Sequence, residues 1–316
     1  MRTAYVALLL ILNLTSCTLV RLPDPNQERR LRGTFDLVTE VKEFGNSLGI
    51  EPTEALRQTS QGNPALSMLW LWLQRMGTLA LRVPVDIRMA IGFHADREKI
   101  PLERVYRVEG YSVYYRQGNE FADARSVATV GFADEGIVRR VKVIFHEDLH
   151  GDQNFDLSWE IEESIITPLG SLAAVEFFRH KGDDDDLKRA MMSMEEERKF
   201  SRELNALAGE AERLFKAEPL EEAKRKILTL IPTFPTYQRE FRRQIAGQNS
   251  STALEAKLSH DLAYFKYFDA IASLSERAPN LKTLIADLKK LPRDTRHDGL
   301  ESYLQELSAR YPGAGT

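Results

Sequence analysis

Segments with helical spacing dominate the chain from Gly136 to its end, and this feature restricts the possible folds more than any other. Long charged helices are predicted at roughly 187–216 and 219–231, and Pro232 and Pro235 interrupt them because proline removes a backbone donor. Further helices are predicted near 236–246, 251–276, 280–291 and 295–310. Amphipathic helices bury their apolar faces against one another, so the pattern predicts a predominantly α-helical protein.

The preceding part of the chain is mixed in character. Apolar residues at helical spacing predict a helix from Glu28 to Leu48. Pro64 opens an apolar run, ALSMLWLWLQRMGTLAL, which we interpret as a buried core helix. Residues 104–131 are rich in Val and Tyr, and Gly residues that favour turns separate the Val- and Tyr-rich segments. This pattern predicts a small sheet of three or four strands. The predicted fold class is therefore α+β, predominantly α-helical, with a small sheet before the helix that carries the motif described below.

The composition excludes several classes of function. The 316 residues include 43 Lys and Arg against 47 Asp and Glu, a net charge of −4, which gives no basic surface for nucleic acid. The only cysteine is Cys17, so an intrachain disulfide and a cysteine-rich metal site are both excluded. Any bound metal must be held by carboxylates and by the six histidines of the chain.

The first sixteen residues have the form of a secretory signal. Arg2 precedes an apolar stretch from Ala4 to Leu14, which is shorter than the ~20 residues that a transmembrane helix needs. The stretch ends Leu-Thr-Ser-Cys at Cys17, which resembles the lipobox of bacterial lipoproteins. The resemblance implies cleavage after residue 16, lipidation of Cys17, a tether over 17–27, and an outer-membrane location facing the periplasm. The alternatives are a plain secretory signal and an uncleaved anchor.

Residues 146–150 read His-Glu-Asp-Leu-His, an HExxH motif. On a helix, positions i and i+4 lie on one face, so the rings of His146 and His150 can bind one metal ion. Glu147 is rotated ~100° from His146, which lets it reach a metal-bound water as a general base without ligating the metal. This spacing predicts a zinc site with Glu147 as the catalytic base.

A catalytic zinc needs a third protein ligand and an open position. Residues 157–167 supply candidates in Glu160, Glu162 and Glu163, the last of them thirteen residues after His150. A reversal of the chain after the motif would lay one of these carboxylates against the two imidazoles, giving a His₂Glu site. The alternative is that the three glutamates form the solvated face of an acidic helix.

HEDLH followed by IEESIIT resembles the HExxH…E pattern of gluzincin-type zinc peptidases. More closely, the chain resembles a family of bacterial lipoproteins described as predicted aminopeptidases. The lipobox, GYSVYY, ATVGFADEGIV, the motif itself and SHDL carry this resemblance. It implies one zinc ion, peptide substrates and a third ligand at Glu163, which precedes the small Ser164 as in the family pattern. The sequence departs from the pattern at Glu162, where the family usually has Asn.

The resemblance suggests how the rest of the chain is organised. Residues 28–182 are expected to form a metallopeptidase-like catalytic region and 183–316 a helical region covering the cleft. His260, in SHDL, is the best candidate outside the motif for stabilising the transition state, ahead of Tyr237, Tyr264 and Tyr267. Asp156 is a candidate to orient a ligand histidine from the outer shell.

The sequence thus predicts a zinc-dependent metallopeptidase, an aminopeptidase by resemblance, that acts on peptides in the bacterial cell envelope. Its membrane attachment would be the lipid on Cys17. The alternative is a non-catalytic envelope lipoprotein that binds partners through its long helices and carries a degenerate metal site. The added negative charge of Asp148 and Glu162 favours this alternative slightly. The sequence indicates neither the oligomeric state nor the identity of the peptide substrate.

Overall fold

The computed structural model describes residues 25–59, 68–79, 91–92, 108–118, 127–128 and 130–311. The predicted signal segment, Cys17 and most of the predicted tether lie outside these residues. Within the described ranges, no helix is both long enough and apolar enough to cross a membrane.

The described chain is mostly helical, which confirms the predicted fold class. Short 3₁₀ turns at Gln153–Phe155 and Ile231–Thr233 join some of the α-helices. The α-helices are α1 (Pro25–Ser47), α2 (Val130–Asp134), α3 (Ile137–Gly151), α4 (Trp159–Lys181), α5 (Asp184–Ala217), α6 (Leu220–Leu230), α7 (Pro235–Gln244), α8 (Ser250–Phe265), α9 (Phe268–Ser275), α10 (Leu281–Leu288) and α11 (His297–Arg310).

Two small sheets precede the motif helix. The strands are β1 (Gln58–Thr59), β2 (Met68–Arg75), β3 (Ile91–Gly92), β4 (Tyr111–Gly118) and β5 (Val127–Ala128). Strands β3, β2 and β4 form an antiparallel sheet in that order, with Trp72 opposite Tyr114, while β1 and β5 form a short parallel pair. Strands β4 and β5 lie within the predicted β-rich region 104–131, most of whose other residues are outside the described ranges.

The helix predicted after Pro64 is wrong, because Met68–Arg75 is strand β2. Trp72 and Leu73 are consecutive and therefore point to opposite faces of the sheet, yet both are buried. Trp72 joins one hydrophobic cluster and Leu73 packs with Val113 in another. A strand covered on both faces shows no polar alternation, so its apolar run resembles that of a buried helix. Residues 64–67 and 80–81 of the predicted helix lie outside the described residues.

Helix α8 is the element that joins the sheet to the helices. It packs against β2, β4 and α4. The Ser112 hydroxyl of β4 donates to the Thr252 carbonyl and accepts from the Ala256 amide, both in α8. On the same strand, the Gln248 side chain pairs with both the amide and the carbonyl of Tyr115. These bonds occupy the edge of β4 that does not face β2 and fix α8 beside it.

The predicted boundary at 182/183 coincides with a turn, since Gly182 ends α4 with a φ of 68°. Both large hydrophobic clusters nevertheless draw residues from both sides of it: one runs from Leu37 to Tyr311 and the other from Trp72 to Ala263. The single helix predicted over 251–276 is two helices, α8 and α9, which meet at Tyr267, where φ is −102° and ψ is 6°.

Candidate metal centre

Helices α3 and α4 carry the residues of the predicted zinc site. The apolar face of α3 is buried through Val141, Ile144 and Phe145, which fixes the rotation of the helix and directs its histidines toward α4. Gly170 of α4 permits a close approach, because a Cβ there would lie 3.2 Å from the Lys142 carbonyl oxygen and 3.5 Å from the His146 Cβ. The two helices therefore meet at the level of the motif.

His146, His150 and Glu163 lie together between these helices. Glu163 Oε2 is 3.4 Å from His146 Nε2, and Glu163 Oε1 is 3.4 Å from His150 Nε2. One ligand atom from each of the three residues lies within 4.8 Å of the others. Two ligands bound at ~2.1 Å to a tetrahedral zinc are separated by ~3.4 Å, so the observed spacing matches an edge of that tetrahedron.

Two polar atoms of the cluster have no hydrogen-bond partner among the described residues. Within the described part of the chain, His150 Nε2 and Glu163 Oε2 are buried and have no hydrogen-bond partner. Buried polar atoms are normally paired, so such atoms on three converging side chains could hold a metal ion. Glu163 is 1% exposed, whereas the His146 side chain keeps 20% of its surface, which leaves one side of the cluster accessible to a substrate.

Burial and mutual charge shift the pKa values of the three residues in different directions. Burial lowers the pKa of His146 to about 3. Burial also acts to lower the pKa of His150, but the carboxylates of Glu162 and Glu163 outweigh it and raise that pKa to about 10. Burial opposes ionisation of Glu163, yet the two histidines hold its pKa below the ordinary value. A bound divalent ion would displace the His150 proton.

Glu147, the predicted base, is 4% exposed on α3. The next residue, Asp148, is buried on the far side of the helix, where it forms an ion pair with Lys42 and accepts from the amide and the hydroxyl of Thr53. Gly151 accommodates this contact, because a Cβ there would lie 2.2 Å from Thr53 Cγ2. Lys42 thus neutralises the charge of Asp148 on the side of α3 away from the metal cluster. The ion pair anchors α3 to α1.

The structure assigns the outer-shell contact to Glu162 and corrects the prediction for Asp156. Glu162 Oε1 lies 3.1 Å from His150 Nδ1, so it orients that ring with Nε2 toward the cluster. Asp156 is exposed and pairs with Arg293, with a contact of 2.9 Å. The 3₁₀ turn Gln153–Phe155 precedes Asp156 and leaves it at the surface.

Arg116 was not predicted, and Tyr264 was only a secondary candidate; both lie beside the cluster. Arg116 Nη1 of β4 donates to the Tyr264 hydroxyl at 3.2 Å, and the Tyr264 ring packs against Trp159 at the start of α4. The Ser164 hydroxyl, next to Glu163, donates to the Ala263 carbonyl at 2.8 Å. Tyr264 can be named as a candidate from the sequence because it lies in a predicted C-terminal helix. Nothing in the sequence around Arg116 indicates a role at the site.

His260 lies beyond Tyr264, outside the three-residue cluster. It is 7% exposed, and its ring centroid is 5.0 Å from that of Tyr264 and 5.3 Å from that of Trp72. Its Nδ1 contacts Asp261 Oδ1 at 3.1 Å, and burial lowers its pKa to about 4. His260 is therefore a neutral, buried neighbour of Tyr264, and the transition-state role predicted for it remains a prediction.

The resemblance to lipoproteins described as predicted aminopeptidases also remains a prediction. No family model, no curated protein and no solved structure matches this chain.

Proposed function

We propose that this protein is a zinc-dependent hydrolase that cleaves peptide bonds. The observation that carries the proposal is the cluster of His146, His150 and Glu163, with Glu147 buried on the same helix as the histidines. Two imidazoles and one carboxylate form a donor set that suits zinc, and three protein ligands leave a fourth position for water or substrate. The spacing and the two unsatisfied ligand atoms support one ion per chain.

A zinc ion bound here would act as a Lewis acid on the substrate carbonyl and acidify a water molecule. Glu147 would be the general base that does not ligate the metal: it would accept a proton from the attacking water and pass it to the leaving amine. Its burial beside the cluster keeps bulk water from solvating the carboxylate. Glu162 holds the His150 ring in the ligating orientation throughout.

Tyr264 is placed to stabilise negative charge on the carbonyl oxygen. Because the Tyr264 hydroxyl oxygen accepts from Arg116, its own proton is directed elsewhere and can be donated to the substrate. Burial and the Glu163 carboxylate raise the pKa of Tyr264, which keeps the hydroxyl protonated. The positive charge of Arg116 behind it strengthens this donor.

A non-catalytic lipoprotein with a degenerate site was the alternative because of the extra charge of Asp148 and Glu162. Both charges have local partners, Lys42 and Thr53 for the first and His150 for the second. Neither carboxylate competes for the ligand atoms of the cluster, so the extra negative charge no longer favours a degenerate site. The local neutralisation of both charges supports the catalytic proposal.

The direct test is peptide hydrolysis by the mature chain. Purified protein is stripped of metal, reloaded with one equivalent of zinc, and incubated with a mixture of short peptides whose products are identified by mass spectrometry. We expect cleavage that disappears on stripping and returns with zinc. A zinc-loaded chain that leaves the whole mixture intact would favour the binding protein instead.

The membrane attachment is a separate proposal, which rests on the sequence Leu-Thr-Ser-Cys ending at Cys17. Replacing Cys17 by Ser is expected to abolish lipid attachment, because a hydroxyl cannot replace the thiol as the acceptor. The precursor would then keep residues 1–16. Metabolic labelling with a radioactive fatty acid and N-terminal mass analysis measure both outcomes. A wild-type protein that matures with a free N-terminus other than residue 17 would contradict the proposal.

A further inference from the structure

Arg116 is a cation beside the candidate metal centre, and no carboxylate of the described residues forms an ion pair with it. Within the described part of the chain, no carboxylate oxygen lies within 4.0 Å of its guanidinium, and its hydrogen bond to Tyr264 is the one polar contact that it makes. A guanidinium carries five N–H donors in a planar fork, so most of its donor capacity is unused. Arg198 on α5, in contrast, is paired with Asp269 and Glu276.

The Arg116 side chain is held in place although no carboxylate in the described ranges pairs with it. Its Cζ lies 5.4 Å from the centroid of the Tyr264 ring, which gives the guanidinium an aromatic surface to rest on. Burial acts to lower the pKa of Arg116, but Tyr264, Tyr114 and Glu163 raise it above its ordinary value, so the group stays charged. A fixed, charged and incompletely bonded guanidinium is suited to bind an anion from outside.

The location ties this group to the proposed reaction. Tyr264 contacts Trp159 of α4, and Ala263 accepts a hydrogen bond from Ser164, which follows the ligand Glu163. Arg116 of β4 lies close enough to the cluster that its positive charge helps to lower the pKa values of both His146 and Glu163. If the scissile carbonyl of a peptide lies at the metal, the residues on the C-terminal side of that bond come within reach of groups beside the cluster, such as Arg116.

We propose that Arg116 binds a carboxylate of the peptide substrate, so that the enzyme prefers peptides with a free C-terminal carboxylate close to the scissile bond. This inference rests on the proposed function. Planar carboxylates match the guanidinium fork in a bidentate pair, which neither a peptide amide nor an amine can form.

Recognition of a substrate N-terminus would need a different group. An aminopeptidase holds the substrate α-amine with a carboxylate near the metal, and the sequence offers Glu162 and Glu160 as candidates. Glu162 is committed to His150 Nδ1 at 3.1 Å. The cation Arg116, in contrast, is suited to a C-terminal carboxylate and not to an N-terminal amine.

Peptide binding, measured by calorimetry, tests the proposal without relying on turnover. The full mature chain with the additional change Glu147→Gln is used in zinc-loaded and metal-stripped forms, so that the peptides are not consumed. The probes are acetyl-Ala-Phe with a free carboxylate, its carboxamide, and acetyl-Ala-Asp carboxamide. We expect the first to bind roughly 10- to 100-fold more tightly than the second, the range for a hydrogen bond to a charged group. Equally tight binding of the third would identify an acidic side chain as the carboxylate source.

Variants at Arg116 separate recognition from a structural role. Arg116→Gln should bring the affinity ratio of acid to carboxamide close to one, and Arg116→Lys should leave an intermediate ratio because it keeps charge without the fork. Arg75→Gln, at an exposed position on β2, is the matched control and should leave the ratio unchanged. Melting curves establish that each variant is folded.

Two results would overturn the proposal: equal affinities for acid and carboxamide, or a preference that survives Arg116→Gln because the carboxylate binds the metal itself. The zinc content of each sample tests the proposed function separately, because a chain without zinc contradicts that function. The metal-stripped form reports the Arg116-dependent preference even in a chain that holds no zinc.

Discussion

Glu147→Gln is expected to lower the rate of peptide hydrolysis by ~10²–10⁴-fold while the zinc content stays at the wild-type level. The change keeps the size of a buried side chain and removes only its ability to take a proton from water. Because Glu147 is not among the three ligand residues, the metal should be retained. The rate is measured on the peptide that wild type cleaves fastest, and zinc is measured by elemental analysis of the same samples.

The matched control is Glu212→Gln, the same chemical change at an exposed position on α5. It should alter neither the rate nor the zinc content. Loss of zinc in Glu147→Gln would place this carboxylate among the ligands, and a wild-type rate would remove it from the reaction.

Glu163→Gln is expected to lose zinc during dialysis against a moderate chelator that leaves wild type loaded. A neutral amide is a poor ligand beside two imidazoles, and the Glu163 carboxylate contacts both histidines at 3.4 Å. Glu162→Gln should weaken zinc binding by only ~10–100-fold, the range for an outer-shell partner of a ligand histidine. Zinc stoichiometry after graded chelation ranks the two variants.

The reverse ranking, with Glu162→Gln stripped and Glu163→Gln loaded, would show that the ligand and the orienting residue are exchanged. Equal retention by both would move the third ligand elsewhere. Circular dichroism of each variant distinguishes loss of the metal from unfolding. Because α3 and α4 also pack through apolar residues such as Phe145 and Ile166, loss of the metal alone should leave the helical signal in place.

The helical part of the fold could be predicted because its signals are local. Apolar residues recur at helical spacing along α5 and α6, and Pro232 ends the pattern close to the observed end at Leu230. The break at Tyr267 has no such signal, since the sequence on both sides continues to favour a helix. That break depends on how α8 and α9 pack.

Strand β2 could not be assigned from its sequence for a physical reason. Covering both faces of the strand removes the alternation that distinguishes a strand from a helix. Gln74 interrupts the apolar run in the sequence, and the fold satisfies it internally: its side chain donates to Thr78 and accepts from Ser259 of α8. The partner in α8 is 185 residues away, which a local pattern does not contain.

The ligand residues of the candidate site could be predicted, but most of their surroundings could not. The HExxH spacing brings His146 and His150 to one face by helix geometry alone, and Glu163 follows on the next helix. Arg116 reaches the site from the distant strand β4, and Lys42 anchors the motif helix through Asp148, 106 residues away in the sequence. Asp156 was chosen for its proximity in sequence, and the surface turn directs it away.

Zinc content is the measurement that tests the central claim most directly. The mature chain, purified without chelators and dialysed against a trace of zinc, is analysed by plasma mass spectrometry alongside His146→Ala and His150→Ala. The ligand set of His146, His150 and Glu163 predicts about one tightly bound zinc per wild-type chain and a marked loss in both variants. Wild type without zinc, or variants that retain as much as wild type, would contradict the metal centre and the function built on it.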